Sequence, residues 1–162
     1  MTYLICPMLI LCGFRSVTKI AGSLSCRRSK YRFSHISHRI YKKGEILVTK
    51  RHPDKTHPNL WECTGGSVLA GEESQEGAFR EVKEEIGIEL IKSNGKLVKS
   101  ERRDLYNNFC DIWIFDQSFD LSSAVLQEDE VIDIKWVTRS ELDSMYDSGL
   151  IVPTLSYYKD IF

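Results

Sequence analysis

The sequence predicts an α/β fold, and three features predict it. Short segments rich in β-branched and aromatic residues recur along the chain, segments with apolar residues every three or four positions lie between them, and no repeat or low-complexity tract breaks the order. With 162 residues and 42% hydrophobic content, the chain suits one domain with a real core.

The N-terminal part differs from the rest. Residues 1–44 contain nine Lys or Arg and no Asp or Glu, whereas residues 45–162 carry 13 basic and 23 acidic groups. Residues 3–14 (YLICPMLILCGF) form an apolar run too short to span a bilayer, interrupted by Pro7 and without the basic flank of a secretory signal. Residues 1–31 are therefore read as a basic extension and 32–162 as the domain. The Ser, Arg and Lys bias that begins at Arg15 leaves organelle targeting open beside the expected cytoplasmic location. An acidic body argues against nucleic acid as a partner. Five cysteines without a CxxC pair outline neither a disulfide framework nor a zinc site, so free thiols are expected.

Each element then follows from its pattern. Residues 32–41 (RFSHISHRIY) read as a strand with Ile36, His38 and Ile40 on one side, and Lys43-Gly44 turns the chain into a β-branched strand at 45–50 (EILVTK). Two prolines make 51–61 a loop, which delivers Arg51, Lys55 and His57 where cations could neutralise a bound diphosphate. Residues 66–88 (GSVLAGEESQEGAFREVKEEIGI) hold a glycine-rich loop and a helix with Ser74 as N-cap and Gly87 as its left-handed stop. Phe79, Val82 and Ile86 form its apolar stripe, while Glu81, Glu84 and Glu85 gather on another face. Three carboxylates within one turn repel, and a divalent cation would remove the conflict; without His or Cys nearby, magnesium, calcium or manganese fits and zinc does not. Arg80 is placed to orient Glu84 at i+4 or to hold the loop through Glu72.

Further on, 89–92 and 95–103 read as strand and hairpin material around a Ser93-Asn94-Gly95 turn. Residues 109–116 (FCDIWIFD) are apolar on both faces and should form a central strand, followed by a strand at 131–137. Glu128 and Glu130 lie just before the latter. Thr138-Arg-Ser-Glu141 is a capping box for a helix at 142–148 with Gly149 as its stop, and Pro153 opens a final helix carrying Leu155, Tyr158, Ile161 and Phe162.

Written as Gly66, five residues, Glu72, seven residues, then Arg80-Glu81-Val82-x-Glu84-Glu85-x-Gly87-Ile88, the central stretch resembles the Nudix box of the Nudix hydrolase superfamily, with every defining position filled. The resemblance implies an α/β/α sandwich with a mixed β-sheet. It also implies Mg2+, with Mn2+ as a substitute, held by Glu81, Glu84 and Glu85 and by a carbonyl at Gly65 or Gly66, with Glu72 supporting the loop. Glu84 is the first choice as general base, and Glu128 and Glu130 are the alternatives from a distal loop. The implied reaction is hydrolysis of a phosphoanhydride in a nucleoside diphosphate linked to another group. Trp61, Tyr106, Trp113 and Phe115 could stack on a base, although Trp113 and Phe115 read better as core.

Two other readings compete. The segment before the box is also similar to isopentenyl diphosphate isomerases, which would require a cysteine after the tryptophan in a Cys-Gly-His-like context and an eroded box. Here Cys63 is followed by Thr-Gly-Gly and the box is whole. A non-catalytic nucleotide-binding module would commonly lose the glutamates, and this chain keeps them. The expected partner is a small nucleotide or diphosphate, without nucleic acid or membrane, and a homodimer is left open.

Overall fold

A computed structural model describes residues 34–104 and 108–160. The extension at 1–31, Tyr106 and the terminal Ile161 and Phe162 lie outside them. Among the described residues, seven strands form one mixed sheet: β1 (Ser34–Lys42), β2 (Glu45–Arg51), β3 (Trp61–Glu62), β4 (Gly65–Ser67), β5 (Gly95–Arg103), β6 (Asn108–Asp116) and β7 (Val131–Thr138). Two helices, α1 (Ser74–Ile86) and α2 (Arg139–Asp147), pack on it. The α/β class with a mixed sheet is as the sequence predicts.

The sheet has a wedge at its centre. β1 and β2 pair only at their hairpin end, Tyr41 with Ile46 and Lys42 with Glu45. Beyond that end the short β3 joins β2, and β4 joins β1 through His35–Ser67, Ile36–Gly66 and Ser37–Gly65. On its other side β1 runs parallel to β6, which also carries the antiparallel β5, while β2 carries β7. Thus β6 is a central strand, and its apolar character on both faces has the expected cause.

Strand alternation sends side chains to two cores. From β2, Ile46 and Val48 join Trp61, Cys63, Val137, Leu142, Met145, Leu155 and Tyr158 on the α2 side. Leu47 points the other way, with Ile40, to meet Val82 and Ile86 of α1. Both faces of β2 are covered, which is why three apolar residues, Ile46, Leu47 and Val48, follow one another in it. The α1 stripe behaves as its spacing predicts: Val82 and Ile86 are fully buried, and Phe79 packs in part against Phe115.

Several local expectations change. The N-cap of α1 is Glu73 rather than Ser74, in a reciprocal box with Glu76; Ser74 instead accepts a bond from Trp113 Nε1 at 3.2 Å. Trp113 thus stays half-buried at the helix start because its indole N–H needs a polar partner. Residues 89–91 form no strand and lead into a 3-10 turn at Lys92–Asn94, where the Gln117 side chain bonds the backbone of Glu89 and Ile91. These side-chain bonds take the place of a ladder. Arg51 belongs to β2 rather than to the loop, and the final helix is a 3-10 segment, Pro153–Asp160, in which Leu155 and Tyr158 are buried. The Thr138–Glu141 capping box is present.

The end of α1 is closed by a distant segment. Gly87 turns left-handed at φ 71°, and the amides of Val125 and Gln127 donate to the carbonyls of Ile86 and Glu85 at 3.0 and 2.9 Å. Orphan carbonyls of the last turn are thereby satisfied, and the 125–130 segment is fixed beside Glu85.

Ile86→Ala should lower the unfolding free energy by about 2–5 kcal/mol, whereas Ile91→Ala, at an exposed position, should stay within about 0.5 kcal/mol. Denaturant titration of both variants tests this core assignment. A second expectation concerns pH. Tyr158 donates to Asp143 at 2.6 Å, and this bond, aided by Arg139, holds the Asp143 carboxyl below its ordinary value. A depressed carboxyl stabilises the fold above its unfolded pKa, and that contribution is lost as pH falls from about 4 through the folded value. Tyr158→Phe should therefore flatten the fall of melting temperature below about pH 4; an unchanged acid limb would refute it.

Candidate active site

The carboxylate face of α1 packs against the strand that precedes it, and a missing side chain makes this approach possible. A Cβ on Gly66 would overlap the carboxyl group of Glu81. Without one, Glu81 lies against β4 and accepts a bond from the Ser67 amide at 3.2 Å. Helix and glycine loop are thus in contact at the residues that the motif specifies.

Arg80 ties this contact together. Its Nη2 donates to the Ser67 carbonyl at 2.7 Å and to Glu72 at 3.1 Å, its Nε donates to Glu72 at 3.0 Å, and its Nη1 donates to Glu81 at 2.9 Å and Glu84 at 3.0 Å. Glu72 also accepts from the Leu69 amide at 2.8 Å, which closes the 67–72 loop. Burial opposes the charge on Arg80, but Glu72 and Glu81 outweigh it and raise the guanidinium pKa further. Burial likewise works against the Glu72 carboxylate, and the bonds from Arg80 and Leu69 overcome it, holding that carboxyl below its ordinary value.

The three motif glutamates occupy different environments. Glu84 is 54% exposed at its side chain and Glu81 16%, while Glu85 as a residue is only 7% exposed. Burial first, and then the charge of Glu62, push the Glu85 carboxyl well above its ordinary range; Lys55 and Arg51 pull it down, and Glu81 adds to the rise. Burial raises Glu62 in the same way, against the attraction of Arg51. Glu62 was absent from the residues singled out in the sequence. The signal available for it was the two-residue alternation at Trp61-Glu62: with Trp61 in the α2-side core, its neighbour must face α1.

The flanking cations are engaged by carboxylates. Arg51 pairs with Glu62 and donates to the Thr56 carbonyl at 2.6 Å, and Lys55 pairs with Glu130. Through Lys55 the structure brings Glu130 to the edge of the Glu62–Glu85 cluster. Glu128 points into solvent. Trp61 and Phe115 are buried in the two cores, and Cys63 packs with Trp61 on the α2 side.

Among the described residues, no group of three or more His, Cys, Asp or Glu side chains is placed to hold a metal ion. A hard dication takes oxygen donors, and the carboxylates of Glu81 and Glu85 are of that kind, with the Glu81 carboxyl filling the space that Gly66 leaves for want of a Cβ. No helix among the described residues is long and apolar enough to cross a membrane.

The model of the NUDIX domain family matches residues 35–153. An uncharacterized Nudix hydrolase of Listeria monocytogenes is 40% identical over 113 residues, covering 68% of this chain and 66% of the relative. The chain thus spans just under two thirds of that relative's length. A CTP pyrophosphohydrolase of Escherichia coli is 35% identical over 66 residues, 41% of this chain and 47% of that one. Among solved structures, the protein DR0079 from Deinococcus radiodurans superposes with a TM-score of 0.62 over 85% of this chain and 86% of its own, at 19% identity, and so shares the fold.

Gly66→Ala should displace the Glu81 carboxylate, because that flexible side chain yields before the backbone does. Manganese affinity, measured by calorimetry or electron paramagnetic resonance, should fall about tenfold or more. The unfolding free energy should change by less than about 1 kcal/mol. Unaltered affinity would remove Gly66 and Glu81 from the ion site.

Proposed function

The chain belongs to the Nudix family, and on that premise we propose that it hydrolyses a phosphoanhydride bond in a nucleoside diphosphate linked to another group, with Mg2+ as the working ion and Mn2+ as a substitute. Nudix enzymes generally use divalent metals. The observation that carries the proposal is the Arg80-centred packing of the motif glutamates onto β4, with Arg51 and Lys55 beside them. Similarity to a CTP pyrophosphohydrolase supports a pyrophosphate linkage as the bond attacked.

In this reading Glu81, Glu85 and the Gly66 carbonyl hold the ion, with Glu84 completing the set or serving as base. When bound, the ion lowers the pKa of a water and offsets charge on the diphosphate oxygens. The chain's own residues do the rest. Arg80 keeps Glu81 and Glu84 in place and leaves each carboxylate a second oxygen. Glu84, exposed on the outer side of the helix, accepts the proton of the attacking water; Glu130, beside Lys55, is the alternative acceptor, ahead of the solvent-facing Glu128. Arg51 and Lys55 contact the substrate phosphates, Lys55 exchanging its carboxylate partner for phosphate oxygens and Arg51 keeping Glu62. Glu72 supports the loop through Arg80 and the Leu69 amide.

The location of Cys63 separates this reading from an isomerase. An isomerase cysteine would have to face the carboxylates, and Cys63 is buried in the opposite core.

A screen of nucleoside triphosphates, oxidised nucleotides, ADP-ribose, dinucleoside polyphosphates and isopentenyl diphosphate, with and without Mg2+, tests the proposal. The expected product is phosphate or a nucleoside monophosphate, and only with the ion present. Glu81→Gln and Glu85→Gln should each lower turnover by about two or more orders of magnitude while the fold persists. Full turnover in both variants, or turnover of isopentenyl diphosphate alone, would sink it.

A further inference from the structure

Arg51 does more than end β2. Its main chain closes the loop that follows, donating to Leu60 at 2.9 Å and accepting from Asn59 at 3.2 Å. Its guanidinium then turns back into the enclosed loop, where Nε donates to the Thr56 carbonyl, while Nη1 pairs with Glu62 on β3. One side chain therefore fastens the middle of the 52–60 loop to the sheet. Glu62 lies opposite Thr49 in the ladder, a residue without charge, and its neutralising partner Arg51 stands two positions further along β2. Lys55, carried by the same loop, reaches across to Glu130 and acts electrostatically on Glu62 and Glu85.

This geometry sets an order of dependence. The position of Lys55 follows from the loop, the loop from the Arg51 guanidinium, and the guanidinium from an oxygen acceptor at position 62. An arginine freed from that acceptor regains many rotamers, and the loop loses its tie. We propose that Glu62 is a positioning residue for substrate binding: it holds the Arg51 guanidinium, and through it the 52–60 loop that carries Lys55, over the carboxylate face where the diphosphate must lie. The proposal rests on the reading above, that Arg51 and Lys55 meet substrate phosphates.

The test uses the full chain with inorganic pyrophosphate and Mg2+ in calorimetry, and the nucleotide found by the screen in steady-state kinetics. Glu62→Ala should weaken pyrophosphate binding and raise KM by about tenfold, the loss of one charge-assisted bond, while kcat falls by less than about threefold. Glu62→Gln keeps an oxygen acceptor for Arg51 and should recover most of the affinity. Because Glu62 acts through Arg51, adding Glu62→Ala to Arg51→Ala should cause no further loss. Arg51→Lys, which cannot span Thr56 and Glu62 together, should reproduce the Glu62→Ala pattern even if Glu62→Ala itself fails to fold.

Three results would overturn the proposal: independent, multiplicative effects of the two alanine variants; a lower melting temperature with unchanged pyrophosphate affinity; or an equal collapse of kcat in the Ala and Gln variants, which would make Glu62 an ion ligand or proton carrier. Its fate is separable from that of the hydrolase reading. If the wild type turns over no nucleotide but pyrophosphate binding follows the expected pattern, the positioning role stands and the reaction is wrong. If the wild type is active and the Glu62 variants bind pyrophosphate as it does, only the positioning role falls.

Discussion

Carboxylates gathered on one side of a helix repel one another, and the site is built around containing that repulsion. Glu81, Glu84 and Glu85 share a face of α1, and folding adds Glu72 from the loop and Glu62 from β3. Arg80 answers three of the five directly and reaches the Ser67 carbonyl as well. A planar fork with five donors can do this at fixed angles, whereas a lysine would offer one flexible point charge. Partial burial strengthens these bonds, because the surrounding dielectric is lower than that of water. Arg51 and Lys55 offset the remaining two, Glu62 and Glu85, from another direction.

The sheet supplies the space in which these groups meet. Because β1 and β2 separate after two residue pairs, a single segment can pair with each in turn, as β3 on β2 and then β4 on β1. Both strands are short, and they are anchored from the α2 side: Trp61 is buried there and bonds through its main chain to Leu150 and Val152. That anchoring fixes Glu62 and the Gly65-Gly66 backbone below α1. The helix in turn is pressed onto the sheet by Val82 and Ile86, one turn apart, which sets the height of Glu81 and Glu85 above β4. Core packing and site geometry therefore share the same helix but use different faces of it.

Much of this was legible in the sequence because it is local. The α1 stripe, the Gly87 stop, the Thr138 capping box and the central strand at 109–116 depend on periodicity and on residues within a few positions of each other. Arg80 bonds to both Glu72 and Glu84, the two partners its spacing offered. What stayed hidden depends on pairing across the sheet. Glu62 acquires its importance from Arg51 and from Glu85, which lie 11 and 23 positions away, and only the wedge between β1 and β2 brings them together. The burial of Glu85, against the exposure of Glu84 beside it, is likewise set by what packs on the helix end, namely the 125–130 segment. The shift of the cap from Ser74 to Glu73 has a tertiary cause too: Ser74 is engaged by the Trp113 indole.

The two sources of positive charge differ in a way that bears on how such a site can change. Arg80 and all its carboxylate partners lie within residues 66–88, so the packing that organises the motif is self-contained once α1 is docked. Arg51, Lys55 and their partners Glu62 and Glu130 come from three separate segments, joined by the β2–β3 and β2–β7 ladders, by the His52 amide on the Glu130 carbonyl and by these side-chain pairs. A substitution in the 52–60 segment alters the second set without touching Arg80, the Gly66 contact or the Val82–Ile86 stripe, whereas one in the 125–130 segment also reaches the stripe through Leu126. The carboxylate face of α1 can thus keep its geometry while the 52–60 loop beside it varies, since none of the bonds that Arg80 makes involves that loop.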